Sequence, residues 1–296
     1  MDICVFGAGS LGSLVGGLLA DTHDVTLVGR APHVEAVDAE GLRLSGAVDR
    51  HVQPAGRTTV PESADLVVVT VKSFDTTTAA QEFDTMDLDA VLSLQNGMGN
   101  EATLAARLSP PVFAGTCTYG ARLHEPAHVE CTGVGEVVLG PRRGGESPLA
   151  DRIGTAFERG GVTTTVSDAM PRRLWEKLAV NAGINAATAL ARVPNGTVAT
   201  EPGSSVTRRA AREAAQVARA HEVPVDGDEA ARQAVDVAES TARNRSSMLQ
   251  DIEAGRQTEI AAINGYVVEQ ASQPVPANET LTALVRMWET EHVSEL

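Results

Sequence analysis

The sequence predicts an α/β domain built on a mostly parallel sheet, followed by an all-helical domain. Three observations carry that expectation. Short apolar runs alternate with helical stretches through the first half of the chain. A glycine-rich turn, Gly7-Ala8-Gly9-Ser10-Leu11-Gly12, joins the first run to the first helix. Beyond residue 168 only helical patterns remain, broken at Pro, Gly or Asn. The expected division is therefore residues 1–167 and residues 168–296.

Each element has a local reason. Ile3–Phe6 is an apolar run suited to a buried parallel strand. Leu14, Val15, Leu18 and Leu19 follow the glycine turn at helical spacing, and Val25–Val28 is the second strand. Leu66–Val71, Val91–Leu94, Val112–Thr116, Val137–Leu139 and Val162–Val166 are the further strands, with Ala-rich helical stretches between some of them. Ser167-Asp168 can cap the helix that opens the second domain. Helices are expected there over 171–189, 204–220, 229–242, 247–254, 258–271 and 278–289. Pro194-Asn195-Gly196, Glu201-Pro202-Gly203, Pro224, Gly255 and Pro274 separate them.

Composition narrows the class. Hydrophobic residues make up 43% of the 296 and charged residues 21%, which excludes extended disorder. A net charge of −15 argues against nucleic acid as a partner, since neutralising phosphates needs clustered Lys and Arg. No apolar run is long enough to cross a membrane. The chain opens on Ile3–Phe6 without a basic n-region, so a cytoplasmic protein is expected, as a monomer or homodimer. Of the 24 basic residues only Lys72 and Lys177 are lysines, against 39 acids. A high-salt cytoplasm would favour such a surface, because screening relieves its self-repulsion. GC-biased coding, which swaps Lys for Arg, would leave the same trace. Under either cause the two remaining lysines stand out.

The glycine turn leaves a strand and opens a helix, which is the context a dinucleotide fingerprint requires. Gly7 permits the tight turn, Gly9 lets the backbone approach a pyrophosphate, and Gly12 allows close helix–strand packing. The helix N-terminus offers N–H groups and a positive dipole end to phosphate. This reads as a Rossmann-like dinucleotide-binding domain with Gly7, Ala8, Gly9, Ser10, Leu11 and Gly12 as its cofactor loop. An NAD site usually carries an acid at the end of the second strand, for the ribose 2′-hydroxyl. Here the place is taken by Arg30, eighteen residues after Gly12. Its fork suits a 2′-phosphate, and so NADPH; a solvated surface arginine is the plain alternative. Lys72 follows the strand Leu66–Val71, at the strand end where nucleotides bind, and is a second candidate contact.

The second domain opens on Trp175-Glu176-Lys177-Leu178. Lys177, Asn181 and Asn185 stand at i, i+4 and i+8, sharing one helix face over about 12 Å at ~1.5 Å per residue. Asparagine is a poor helix former, so this polar stripe asks for a reason. Asn195 adds another amide just past the helix. A second polar cluster runs from Asn244 through Ser247 to Asp251, then Gly255 to Ile260. Taken blandly, Ser247 and Gln250 form a capping box, and Thr258-Glu259 caps the next helix. Capping alone does not explain why so many polar groups crowd one segment. His124, His128 and Cys131 do not make a metal site, because Pro126 disfavours the helix that would align them. No metal is expected.

Taken together, these blocks resemble the ketopantoate reductase (2-dehydropantoate 2-reductase) family along nearly the whole chain. The matching blocks are Gly7–Gly12, Val71-Lys72, Leu94-Gln95-Asn96-Gly97-Met98-Gly99, Trp175–Leu178 with Asn181 and Asn185, Ser246–Asp251, Gly255-Arg256, Thr258-Glu259-Ile260 and Asn264-Gly265. The resemblance implies NADPH-dependent reduction of 2-dehydropantoate to pantoate, a step toward pantothenate and coenzyme A. It implies Lys177 as general acid and Glu259 as the carboxylate that meets the substrate's hydroxyl. Asn181, Asn185, Asn244 and Ser247 become substrate contacts, while Lys72 and Asn96 lie along the cofactor. The family often carries Asp two residues past its Glu, where this chain has Ala261. Two rivals stay open: a reductase of another 2-oxo or 3-hydroxy acid on the same fold, and a catalytically silent nucleotide-binding sensor. Intact Lys177 and Glu259 argue against silence, and the Ser247–Glu259 block against the first rival.

Overall fold

The computed structural model describes residues 1–293. The chain divides into two compact units, residues 1–95 with 100–170, and residues 96–99 with those from Pro171 onward.

In the first unit, β1 (Asp2–Phe6) leads into α1 (Ser10–Leu19), β2 (Asp24–Val28), α2 (Ala31–Glu40), β3 (Leu42–Gly46), β4 (Arg50–Val52), β5 (Ala55–Arg57) and β6 (Ser63–Val69). Then come α3 (Thr76–Glu82), β7 (Asp87–Ser93), α4 (Asn100–Arg107) and β8 (Val112–Cys117). The hairpin β9 (Gly120–Glu125) and β10 (His128–Gly133), β11 (Val137–Pro141), α5 (Pro148–Arg159) and β12 (Thr164–Val166) complete it. Eight strands form one sheet in the order β12-β11-β8-β7-β6-β1-β2-β5, parallel except where β11 runs against β8.

Side-chain alternation explains why the central strands read as unbroken apolar runs. Ile3 and Val5 face a core shared with Leu14 and Leu18 of α1, Val34 of α2 and Phe157 of α5. Cys4, between them, faces the opposite core with Val67, Val69, Ala79 and Leu104. A strand covered on both faces has no reason to alternate with polar residues. Burial pushes the Cys4 thiol up to about 12, so it packs as a small apolar group.

The sequence pattern did not reveal a second sheet, of four strands in the order β4-β3-β10-β9. Leu42 and Leu44 on β3 are fully buried while Arg43 between them is exposed. β3 pairs in parallel with β10, some eighty residues on, so its partner is invisible locally. The strand expected over Val162–Val166 is confined to β12, three residues long.

The second unit is helical: α6 (Met170–Ala191), α7 (Gly203–Ala220), α8 (Gly227–Ser240), α9 (Ser247–Glu253), α10 (Asn264–Gln270) and α11 (Pro276–His292). Its core is largely alanine, with Ala179, Ala182 and Ala186 of α6 buried in one cluster with Ala210, Ala211, Ala214 and Ala218 of α7. Small side chains let helix backbones approach closely. A buried polar chain crosses this core. Glu213 on α7 accepts the N–H groups of Ala277 (3.1 Å) and Asn278 (3.0 Å), capping α11 from a neighbouring helix. The Asn278 amide donates to Glu213 and to Ala210 O, while Asn264 donates to Asn278 Oδ1 and to Ala182 O on α6, each at about 3 Å. One helix differs from expectation. Residues 258–263 are irregular, with a turn only over 260–263, and α10 begins only at Asn264.

Candidate active site

Two glycines of the cofactor loop, Gly7 and Gly12, stand where contacts leave no room for a side chain. Gly7 and Ala8 both donate their N–H groups to Val28 O at 2.9 Å, folding the loop over the end of β2. Gly7 has φ of +109°, and a β-carbon there would lie 2.6 Å from Val71 N. A β-carbon on Gly12 would collide with Gly7 O and lie 2.5 Å from Thr70 Oγ1. Gly9 differs: there a β-carbon would meet only Gly7 O, at 3.9 Å, so it would fill the open space through which a phosphate reaches the backbone. No side chain caps α1, which leaves its first N–H groups to an outside acceptor. The loop therefore fits a dinucleotide phosphate. Ala8 is buried, Leu11 packs against the core, and Ser10 Oγ accepts the N–H of Leu123 on β9 at 3.1 Å.

Thr70 was missed by sequence reasoning. Its hydroxyl donates to Gly7 O at 2.9 Å and pins the loop to the end of β6. The signal was a single polar residue near the end of the apolar run Leu66–Val71. Lys72 is half-buried and precedes a single tight turn, Ser73–Asp75. The Gln95 amide braces that turn from beyond β7, donating to Val71 O (3.2 Å) and Thr76 Oγ1 (2.8 Å). Arg30 is exposed, directly before α2. Burial raises the Asp75 carboxyl above its ordinary range, and the charge of the Arg30 guanidinium opposes that rise.

The substrate candidates gather in the second unit. Lys177 and Asn181 are half-buried on α6 and Asn185 is buried below them. Thr188, one turn on, meets Ser246 hydroxyl to hydroxyl at 2.7 Å. Ser246, not Ser247, caps α9, accepting the N–H of Leu249 at 3.1 Å. The expected capping box does not form: the cap sits one residue earlier, its third helical residue is Leu249, and the Gln250 amide donates instead to Arg245 O at 3.0 Å. Ser247, half-buried at the start of α9, has no part in that cap. Asn195 is 8% exposed; its amide donates to Thr241 Oγ1 at 2.9 Å, and its buried Oδ1 has no partner among the described residues. Its backbone N–H donates to Asn244 O at 2.9 Å, tying the exposed Asn244 to the short turn that follows α6.

Glu259 sits in the turn before α10, only 4% exposed. Its carbonyl accepts the N–H groups of Ala262 and Ile263, each at 3.1 Å. Ala262 O in turn accepts the N–H of Met98 at 3.0 Å. The segment Asn96–Gly99 is thereby fastened to the Glu259 turn, and half-buried Asn96 belongs to the helical unit. On the small sheet His124 bonds Glu130 at 2.7 Å and stacks on His128, and no metal-binding group of three occurs among the described residues.

Comparison with known proteins decides the family. The model described as ketopantoate reductase PanE/ApbA matches residues 3–144, and its C-terminal counterpart matches residues 169–289. The chain belongs to the ketopantoate reductase family. A 2-dehydropantoate 2-reductase of Halobacterium salinarum is 43% identical to this family member over 306 residues, covering 97% of this chain and 98% of that one. A PanE/ApbA family ketopantoate reductase from Ralstonia eutropha JMP134 has the same fold, with TM-score 0.90 and 34% identity over 99% of both chains. A D-mandelate dehydrogenase in complex with NADH also matches, with TM-score 0.88 and 25% identity over 99% of this chain and 100% of that one.

Proposed function

We propose that this member of the family reduces 2-dehydropantoate to pantoate with NADPH, serving pantothenate and coenzyme A formation in the cytoplasm. The observation that carries the reading is the polar face of Lys177, Asn181 and Asn185 on α6, in the same unit as the buried Glu259. The dinucleotide, when bound along Gly7–Gly12 with Arg30, Lys72 and Asn96, supplies the hydride. Lys177 stabilises the charge that develops on the C2 oxygen and delivers the proton there, worth roughly 10²–10⁴ in rate. Glu259 accepts a hydrogen bond from the distal hydroxyl. Asn181, Asn185, Asn195, Asn244 and Ser247 hold and orient the rest of the substrate.

A second reading, reduction of a different 2-oxo acid with NADH, is favoured by the likeness to the D-mandelate dehydrogenase complex. Turnover of a panel of 2-oxo acids with each reduced nicotinamide separates the two. Ketopantoate with NADPH is expected to give the highest kcat/KM. A higher value for an aromatic acid, or no turnover of any acid, would refute the proposal.

A further inference from the structure

Glu289 is an acid in an unfavourable place. It lies in the last turn of α11, where the helix dipole opposes negative charge, and it is 5% exposed. One of its oxygens, Oε1, accepts two hydrogen bonds from a single residue: the backbone N–H and the hydroxyl of Thr258, each at 2.7 Å. The same Thr258 hydroxyl accepts the N–H of Ile260 at 3.2 Å, bridging over Glu259. On the other side the 259–263 turn closes on the Glu259 carbonyl. Thr258 and Ile260 are buried, while Ala261 is exposed and brings no polar side chain. The backbone of Glu259 is therefore fixed from its N-terminal side by Glu289 acting through Thr258.

We infer that Glu289 is a positioning residue for Glu259, and that the Thr258–Glu289 clamp sets the preference for 2-oxo acids that carry a distal hydroxyl. This rests on the reading of Glu259 given above. A carboxylate that must meet one hydroxyl tolerates little displacement, because misplacement of about 1 Å can cost about 10²-fold in kcat/KM. A structural tether for α11 alone would affect all substrates alike. A positioning clamp would not.

The test compares ketopantoate with 3,3-dimethyl-2-oxobutanoate, which has the same carbon frame without the hydroxyl. Thr258→Val removes the hydroxyl and is expected to raise KM for ketopantoate about tenfold. Its kcat, and both parameters for the hydroxyl-free acid, should stay within about twofold. Thr258→Ser should restore the ketopantoate KM. Glu289→Gln keeps an oxygen acceptor and should move KM in the same direction by less, which covers the case of an unfolded valine variant. Glu259→Gln is the reference. If it distinguishes the two acids and the clamp variants do not, the clamp is refuted while Glu259 keeps its role. If Glu259→Gln treats both acids alike, the reading of Glu259 falls and the clamp falls with it.

Discussion

His33 on α2 accepts the backbone N–H of Ala127 at its Nδ1, 3.1 Å away. An amide can only donate, so Nδ1 carries no proton and the ring is the neutral Nε2–H tautomer. Nε2 then donates to Ser13 Oγ on α1 at 2.8 Å. One imidazole thus joins α1, α2 and the β9–β10 turn; its partner Ser13 directly follows Gly12, and His33 itself stands three residues after Arg30.

This bond makes stability depend on pH in a definite direction. Burial lowers the His33 pKa from 6.5, so the unfolded chain binds its proton more readily than the folded one. The contribution is complete above about pH 6.5 and is lost as pH falls through the lower folded value. The melting temperature should decline from pH 7 to pH 5, and His33→Gln should flatten that decline. An unchanged pH slope in the variant would exclude His33 as its source.

Arg30→Ala should lower the preference for NADPH over NADH by about tenfold to two hundredfold, the value of a charge-assisted contact of about 1.5–3 kcal/mol. Because Arg30 is exposed, the preference in the parent enzyme should shrink as KCl rises. Titration of both nucleotides at two salt concentrations checks this. A variant with the parent's preference would make Arg30 a plain surface residue.

Glu213→Ala removes the acceptor of three N–H donors, on Ala277, Asn278 and the Asn278 amide. Buried donors left unmet, together with a lost helix cap, should cost about 2–4 kcal/mol. Urea unfolding of parent and variant measures it. A loss below about 1 kcal/mol would mean that water replaces the carboxyl.

The acidic surface gives a prediction of its own. If the net charge of −15 is an adaptation to salt, raising KCl from about 0.1 M to about 1 M, which shortens the screening length from about 10 Å to about 3 Å, should raise the melting temperature. A melting temperature that is flat or falls with salt would leave coding bias as the source of the lysine shortage.

The parts of the fold legible in the sequence were those fixed by neighbours. β1, the glycine loop, α1 and β2 are specified by apolar spacing and backbone freedom within thirty residues. The small sheet escaped notice because β4 has three residues and β9 and β10 are half polar, while β3 finds β10 only across the chain. Helical propensity carries the expected helix back to 258, but the two hydrogen bonds that Thr258 donates to Glu289 hold it out of the helix. The Lys177–Asn181–Asn185 stripe was visible because helix periodicity alone aligns it. The bonds made by Thr70, Ser246 and Glu289 were not, since each acts on a residue far away in sequence.

The most direct test of the central claim is kcat of Lys177→Ala at saturating ketopantoate and NADPH, with nucleotide binding measured separately by fluorescence. Proton donation matters chiefly in the transition state, so kcat should fall by about 10²-fold or more while NADPH affinity is nearly kept. A folded variant with near-parental kcat would contradict the assignment of Lys177 as the proton donor.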